Sequence, residues 1–502
     1  MYLDSVPFPV YCNACWYSDK WDALSFGAEY DFSKNFFVQF RALQNVTPRP
    51  ALIGMNNVQS PYVNYSHGMK RSYFMVGCGD DEDCGYAYRT FNSRDSYDAF
   101  GLVDGEYCYE NIQVIKSFRT AFADICEQLS NCMFMYDCKN CSDCIGCVGL
   151  RNKTNHIFNQ PYSKEEYEKV RAELALGTHE GLKAALAEFQ KLLVNFPRRF
   201  AKIILSQNSS GNNLQETKNC TECYFIRESQ DSKYCAFGSG IKDCQDCNFS
   251  DTAELCYEAS NMTQNFKKLF SLTSWFSKEI AYCDSCFTCS DLFGCIGLRN
   301  KNFCILNKQY SEEEYRVLVE KIKVQMNEMP YTDTKGRLYT YGEFFPLEFS
   351  PFGYNESIAQ EYFPKEKSEI EAQGFAWKER EDNVYTITKK AANLPNDIKD
   401  VDESIPKEVI ECEVSKRAFR LTPAEFQFYK SMGIPLPRLH PDLRHKARLA
   451  KQNPMQLWHR QCMCQNEAHG HASACPNEFE TSYSPERGEV VYCEGCYQKE
   501  VI

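Results

Sequence analysis

Several familiar catalytic motifs are missing from this sequence. It contains no Gly-x-Ser-x-Gly, no phosphate-binding loop, no dinucleotide fingerprint and no His-Glu-x-x-His. These motifs are typical of nucleophilic hydrolases, nucleotide-binding enzymes and zinc peptidases. Histidine is scarce, with 8 among 502 residues, and His67, His156 and His179 each stand alone. The sequence therefore indicates no catalytic residue, and we expect a protein that is not an enzyme.

The chain also lacks long apolar runs and excess positive charge. No stretch approaches the roughly 18 uninterrupted apolar residues of a membrane span. The opening residues Met1 to Val10 lack a basic segment followed by an apolar one, as a secretory leader would have. A net charge of −12 disfavours general attraction to nucleic acid or anionic membranes. We expect a soluble cytoplasmic protein of several domains, without a membrane partner.

Cysteine, in contrast, is abundant and regularly placed. The chain has 28 cysteines, which in a reducing cytoplasm should be buried, metal-bound or redox-active and not bridged. From Cys78 to Cys147, and again from Cys220 to Cys304, every cysteine keeps a single three-residue phase. Neither a strand period of two nor a helix period of 3.6 maintains that phase over long intervals.

A coil of fixed length does maintain it. We predict two β-solenoid blocks, in which each turn returns the chain to the same interior position and cysteine stacks on cysteine. The six-residue spacing of Cys126, Cys132, Cys138 and Cys144 favours hexapeptide rungs, with about 18 residues in a three-sided coil.

The two blocks are related by an internal duplication. The segments 141–167 and 289–315 share 17 of 27 residues without gaps. In each copy a serine precedes a glutamate by three residues (Ser163 and Glu166; Ser311 and Glu314), which predicts a capping box at the start of a helix. Such a helix would cover the open edge of its block.

The fold class we expect is therefore mainly β with helices: duplicated cysteine-rich β-solenoid blocks with capping helices, plus a C-terminal zinc ribbon. The predicted divisions are 1–59, an N-terminal half zinc knuckle and short helix; 60–162, the first block; 163–204, a helical insertion; 205–310, the second block; 311–404, a capping helix and aromatic-rich strap; and 405–502, a degenerate ribbon and the zinc ribbon.

The C-terminal cysteines have the spacing of a metal site. A closing Cys-x-x-Cys about twenty residues after another cysteine group is typical of a zinc ribbon, in which two turns supply thiolates to one tetrahedral ion. We predict Cys475, Cys493 and Cys496 as ligands, with Cys462 or Cys464 as the fourth. His469 and His471 lie between the cysteine groups and are reserve ligands. Zinc is the expected cofactor.

Two further segments resemble parts of this ribbon. The N-terminal Tyr2-x8-Tyr11-Cys12-x-x-Cys15 has the spacing of Tyr483-x8-Tyr492-Cys493-x-x-Cys496, so Cys12 and Cys15 are candidate zinc ligands. Their site would be completed by a preceding segment, other cysteines or another subunit. Around Cys412 the expected partner positions hold Ser415, His440 and Leu443. We interpret this copy as a ribbon fold that has lost its metal.

Specific strings support a family resemblance. They are Tyr11-Cys12-x-x-Cys15-Trp16, Gly149-Leu150-Arg151-Asn152-Lys153, Ser350-Pro351-Phe352-Gly353-Tyr354-Asn355 and Tyr483-Ser484-Pro485-Glu486-Arg487. Over most of its length the chain resembles uncharacterised cysteine-rich zinc-ribbon proteins of candidate-phyla bacteria. The C-terminal part, Thr422 to Arg448 included, is similar to the probable zinc-ribbon domain, which is treble-clef-like. The resemblance implies zinc binding and no particular activity.

Three alternatives remain open at this point. A basic stretch with Arg438, Arg444, Lys446, Arg448 and Lys451 could bind nucleic acid beside the ribbon. The run Cys138, Cys141, Cys144, Cys147 resembles the start of a ferredoxin motif and would make the protein an iron–sulfur electron carrier. Cys-x-x-Cys pairs such as Cys244 and Cys247 could hold zinc inside a block. Our preferred interpretation is a zinc-binding structural or interaction scaffold with a protein partner.

Overall fold

Strands and helices both build the protein. The computed structural model describes residue 2 and residues 6–379 and 385–501. None of the helices in those ranges is long and apolar enough to cross a membrane. The helices are α1 (Asn13–Trp16), α2 (Phe36–Val46), α3 (Lys164–Glu173), α4 (His179–Asn195), α5 (Glu312–Glu328), α6 (Ile358–Tyr362), α7 (Lys367–Ala372), α8 (Pro423–Met432), α9 (Pro441–Lys451) and α10 (Glu494–Val501).

The first block is a stack of parallel strands. Val103 pairs with Ile115 and Lys139 with Arg151, so each layer lies on the segment twelve positions further along the chain. The pairing begins at Gly54 and closes with a short antiparallel hairpin that ends at Pro161. The strands are Gly54–Met55, Val63–Asn64, Ser66–His67, Met75–Val76, Val103–Tyr109, Ile115–Asp124, Glu127–Ser130, Met133–Tyr136, Lys139–Val148, Thr154–Ile157 and Gln160–Pro161.

The second block repeats this arrangement. Gly211 pairs in parallel with Cys223, and Gln245 with Tyr257, again twelve positions apart. A terminal hairpin pairs Ile305 with Lys308, as Ile157 pairs with Gln160 in the first block. The strands are Ile203–Ile204, Gly211–Gln215, Cys223–Arg227, Ala236–Lys242, Gln245–Glu254, Tyr257–Ser271, Lys278–Ala281, Ser290–Phe293, Asn302–Ile305 and Lys308–Gln309.

The expected repeat of about 18 residues is wrong, and backbone geometry gives the reason. Both blocks place a left-handed residue at every third position, for example Asp80 (φ 56°) and Asp83 (φ 54°). A layer of twelve positions therefore holds four such residues. Away from the ends of the blocks, the residue that follows each of them is buried, as Asp81 and Cys84 are. The cysteine phase therefore marks the buried position after each left-handed residue.

Side chains at these buried positions also satisfy the backbone between layers. The amide of Cys108 donates to Ser96 Oγ in the preceding layer at 3.1 Å. The thiol of Cys108 lies 3.6 Å from the carbonyl oxygen of Ser117 in the next layer. Serine and cysteine can therefore occupy equivalent positions, because each carries a polar atom at Cβ that a buried N–H or C=O group needs.

Burial keeps four of the interior thiols protonated at neutral pH. Desolvation raises the pKa of Cys78, Cys108, Cys289 and Cys304 to about 12 in each case. A protonated thiol is a poor nucleophile and a poor metal ligand. These residues are therefore packing groups of the blocks.

A helix follows the last strand of each block. Ser163 and Glu166 form a complete capping box at the start of α3, and Ser311 and Glu314 form another at the start of α5. Helix α4 contacts the first block, where the rings of Phe189 and Phe134 lie 6.1 Å apart.

Helix α2 packs on the second block. Phe36 contacts the rings of Tyr282 and Phe293. The helix begins after Asn35, whose side chain accepts the amide of Phe37 at 2.8 Å.

The segment after α5 and the segment around Cys412 follow the second block. Phe345 and Phe349 lie in one apolar cluster with α2 and the second block. Around Cys412, Lys389–Lys390, Ile410–Glu411 and Ala418–Phe419 form a small sheet ahead of α8. The remaining two-stranded pairs are Val10–Tyr11 with Arg49–Pro50, Arg198–Arg199 with Val491–Tyr492, Tyr331–Thr332 with Leu338–Tyr339, and Trp458–Gln461 with Glu478–Thr481.

Candidate metal centre

The C-terminal module, residues 458–501, is small and is held by short elements. The strands Trp458–Gln461 and Glu478–Thr481 pair antiparallel. The strand Val491–Tyr492 pairs in parallel with Arg198–Arg199, in the segment that links the two blocks. Helix α10 then begins directly after Cys493. The turns between these elements and the first turn of α10 carry all the cysteines of the module.

Four of these cysteines form a buried group. The sulfur atoms of Cys462, Cys475, Cys493 and Cys496 all lie within 4.8 Å of one another, and all four residues are buried. The sulfurs of Cys475 and Cys493 are 4.0 Å apart. Four thiolates around a tetrahedral zinc ion, with Zn–S bonds of about 2.3 Å, lie about 3.8 Å from one another. The donor set and its spacing therefore fit a structural metal ion, and Cys462 takes the fourth position in the group that the sequence left open.

Hydrogen bonds prepare these sulfurs to carry negative charge. The amide of Cys493 donates to Cys462 Sγ at 3.2 Å, and Asn477 Nδ2 donates to Cys493 Sγ at 3.3 Å. Desolvation opposes ionisation of Cys493, but the bonds from Asn477 and from the backbone of Cys496 outweigh it and lower the pKa of Cys493 to about 7. Burial raises the pKa of Cys462 to about 11. A bound cation would therefore be needed to hold Cys462 as a thiolate at neutral pH.

A second group shares one cysteine with the first. The ligand atoms of Cys464, His469, His471 and Cys496 also lie within 4.8 Å of one another. The sequence offered Cys464 and the two histidines as alternatives to Cys462. In the structure they form a separate set of two cysteines and two histidines.

The interior cysteines do not form such groups. In the described part of the chain, the two groups above are the sets of three or more Cys, His, Asp or Glu residues whose ligand atoms come close enough together to hold a metal ion. Neither includes Cys138, Cys141, Cys144 or Cys147, the proposed ferredoxin run, nor the pair Cys244 and Cys247. The geometry therefore favours neither an iron–sulfur cluster nor zinc inside a block.

Cys12 and Cys15 form the same local structure as Cys493 and Cys496 but stand outside both groups. The strand Val10–Tyr11 pairs in parallel with Arg49–Pro50, as Val491–Tyr492 pairs with Arg198–Arg199. Both thiols are exposed, in contrast to their C-terminal counterparts. A hydrogen bond from the backbone of Cys15 lowers the pKa of Cys12. The described chain brings no third ligand to this pair.

The sulfur of Cys412 has a hydrogen-bond partner from the backbone. The amide of His440 donates to Cys412 Sγ at 3.2 Å. Thr422 and Glu425 form a capping box at the start of α8, with Pro423 at the first helical position. The thiol is thus a buried hydrogen-bond acceptor within this fold.

The basic stretch does not form one exposed surface. Arg444 and Arg448 are buried, and both contact Asp98 of the first block, at 3.2 Å and 3.0 Å. Lys446 and Lys451 are exposed, and Arg438 is half-buried. Two of the five proposed nucleic-acid contacts are therefore engaged in ion pairs inside the protein.

The sequence did not predict the buried ion pairs of Arg444 and Arg448 with Asp98, nor the burial of Lys268. Lys268 is fully buried inside the second block and donates to the carbonyl oxygens of Ser260 and Ser274, at 3.1 Å and 3.3 Å. Burial lowers its pKa to about 8. Its position in the same three-residue phase as Cys256 could have indicated an interior location. No sequence pattern comparable to this phase indicates Asp98 and Glu425 as the partners of Arg444.

Comparisons with known proteins add little to this picture. No family model matches the chain, and no curated protein matches it. A solved structure described as a "putative acetyltransferase from Desulfovibrio desulfuricans G20" aligns at 10% sequence identity, over 56% of this chain and 84% of that chain, with a TM-score of 0.11. At that TM-score the similarity carries no weight for fold or function. We therefore infer function from the metal-ligating groups alone.

Proposed function

We propose that this protein is a zinc-binding structural and interaction scaffold without catalytic activity. In this proposal the two blocks are four-sided β-solenoids with twelve positions per coil, and the chain is a cytoplasmic member of the cysteine-rich zinc-ribbon proteins that it resembles. The buried group of four cysteines is the observation that carries the proposal. Four thiolates in a tetrahedral arrangement with no open position are typical of structural zinc and leave no site for substrate.

The position of the metal group explains what it would stabilise. Glu494, next to Cys493, pairs with Arg199, and one of the two bonds measures 2.8 Å. Tyr497, next to Cys496, donates its hydroxyl to Asp137 of the first block. A metal ion that fixes these two cysteines therefore also fixes the contacts that fasten the module to the body.

Metal removal would release that attachment. A ribbon this small has little apolar core, so the binding energy of zinc, about 10 to 16 kcal/mol for comparable peptides, would serve as its folding energy. The blocks bury their own apolar interior and should not depend on the ion. We further propose that the surface held in place in this way binds a protein partner.

The test is metal analysis followed by limited proteolysis. We expect bound zinc in the purified chain, and rapid cleavage within residues 458–501 after chelation, while the far-ultraviolet circular dichroism of the blocks is kept. Cys493→Ser should reproduce the chelated pattern. Cys412→Ser, which alters a buried cysteine outside the metal groups, should not. A metal-free protein that resists cleavage as well as the zinc-loaded one would refute the proposal.

A further inference from the structure

The second ligand group raises the question of how many ions the module holds. We propose that it binds two divalent metal ions, joined by the thiolate of Cys496. One ion takes Cys462, Cys475, Cys493 and Cys496, and the other takes Cys464, His469, His471 and Cys496. This inference rests on the proposed zinc-binding function and deepens it.

The distances within the second group fit a single ion. Cys464 Sγ lies 3.1 Å from His469 Nδ1, and Cys496 Sγ lies 3.6 Å from His471 Nε2. With Zn–S bonds of about 2.3 Å and Zn–N bonds of about 2.0 Å, a sulfur and a nitrogen on one tetrahedral ion lie about 3.5 Å apart. Only small adjustments are needed to close the site.

Both histidines are held as metal ligands usually are. The outer nitrogen of His469, Nε2, lies 3.2 Å from Glu500 Oε2, and its inner nitrogen faces Cys464. The outer nitrogen of His471, Nδ1, lies 2.6 Å from the carbonyl oxygen of Ser473. An outer N–H bonded to a carboxylate or a carbonyl fixes the tautomer and presents the other nitrogen, unprotonated, to the metal. A histidine that only packs against its neighbours needs no hydrogen-bond partner at its outer nitrogen, and here both histidines have one.

The chain brings the two histidines together with a tight turn. The short 3-10 helix Glu467–His469 is capped by Asn466, and Gly470 follows in a left-handed conformation with φ 93°. That turn places His469 and His471 on either side of Gly470, with both rings directed at the cysteines. His469 is only 9% exposed, so its ring lies inside the module.

Charge balance favours two ions over one. The two groups contain five thiols and two imidazoles. A single divalent ion in the four-cysteine group leaves a net charge of −2 and three potential ligands unused beside it. A second ion converts five thiolates and two neutral histidines into a cluster of charge −1, which costs less to bury. Because both ions bind Cys496 at about 2.3 Å, they would lie at most about 4.6 Å apart.

Zinc is the ion that we expect at both positions. Thiolate and imidazole ligands in tetrahedral arrangement suit zinc, whereas carboxylate-rich octahedral sites suit magnesium or calcium. Cadmium takes the same ligands and provides a spectroscopic probe.

The experiment counts metal ions in the full-length chain. Protein refolded with excess zinc and then desalted should contain two zinc ions per chain. His471→Asn should reduce the content to one, because it removes a ligand of the second group only. His459→Asn is the matched control: that exposed histidine pairs with Glu478 and Glu480 on the same module and belongs to neither group, so two ions should remain.

Cadmium NMR tests the bridge directly. The cadmium-loaded chain should give two resonances that are split by mutual coupling through the sulfur of Cys496, and His471→Asn should leave a single unsplit resonance. One zinc ion per chain that is retained by His471→Asn and lost in Cys475→Ser would overturn the two-ion inference and leave the proposed function intact. No bound zinc in the unmodified chain would overturn both. If Cys475→Ser fails to fold, the wild-type stoichiometry and the cadmium spectrum still decide.

Discussion

Alkaline pH should unfold this protein through its interior thiols. A thiol whose folded pKa exceeds its unfolded value stabilises the fold below the unfolded pKa, and that contribution is lost as pH rises toward the folded pKa. For Cys78, Cys108 and Cys289 the pKa rises from 9.0 to about 12 because of burial. The loss therefore begins near pH 9 and continues to about pH 12.

The size of the effect follows from these values. At pH 10 each such thiol loses about 1.4 kcal/mol of its contribution, so the three together remove about 4 kcal/mol. Domain stabilities are about 5 to 15 kcal/mol, so this loss is a large fraction of the total. Tyr224, whose pKa burial raises to about 12, acts in the same direction.

Urea unfolding of the zinc-loaded protein under reducing conditions measures this loss. Between pH 8 and pH 10 we expect the free energy of unfolding to fall by about 4 kcal/mol or more. Cys108→Ser should recover about 1.4 kcal/mol of that fall, since a hydroxyl does not ionise. Cys15→Ser, at an exposed position, should recover less than Cys108→Ser. Unfolding free energies that agree within about 1 kcal/mol at the two pH values would refute the reasoning.

Three further substitutions test individual contacts by thermal or urea unfolding. Arg444→Met should cost about 3 kcal/mol, because Glu425 loses its buried cationic partner and Asp98 keeps only Arg448. Lys446→Met, on the exposed face of the same helix, should stay within about 0.5 kcal/mol, and equal effects would contradict the buried pairing. Gly211→Ala should disrupt the pairing of Gly211 with Cys223, because the new Cβ would lie 1.7 Å from the carbonyl oxygen of Cys223. Gly488→Ala, with open space around it, should be tolerated. A stable Gly211→Ala protein would contradict the strand pairing. Tyr497→Phe should weaken the attachment of the C-terminal module to the first block by about 1 to 3 kcal/mol, because Asp137 loses the hydrogen bond from the Tyr497 hydroxyl. Proteolysis of the module should become faster. An unchanged cleavage rate would contradict this contact.

The interior positions of the blocks could be predicted from the sequence, but the length of the repeat could not. A three-residue phase identifies the buried residue after each left-handed residue, as at Cys84. The intervals from Cys84 to Cys108 and from Cys108 to Cys126 are multiples of three, so they obey that phase whatever the length of the layer. The length is set by left-handed residues, which here include Tyr86 and Arg89 as well as aspartate and asparagine. Residue type alone does not mark them.

The candidate metal ligands could also be predicted, but not their division between two groups. The sequence presents Cys462, Cys464, His469 and His471 as competitors for one vacant position. Only the turn at Gly470 shows that the histidines reach a separate set with Cys496. The burial of Arg444 was unpredictable for a similar reason, since Asp98 lies in a distant part of the chain.

Counting reactive thiols in three states tests the central claim most directly. The structure divides the 28 cysteines into exposed, metal-grouped and buried classes. In the native zinc-loaded protein, we expect a small disulfide reagent to modify Cys12 and Cys15 only. Chelation should add the five cysteines of the module, and denaturation should expose the rest. Rapid reaction of many thiols in the native protein, or no increase on chelation, would contradict this division.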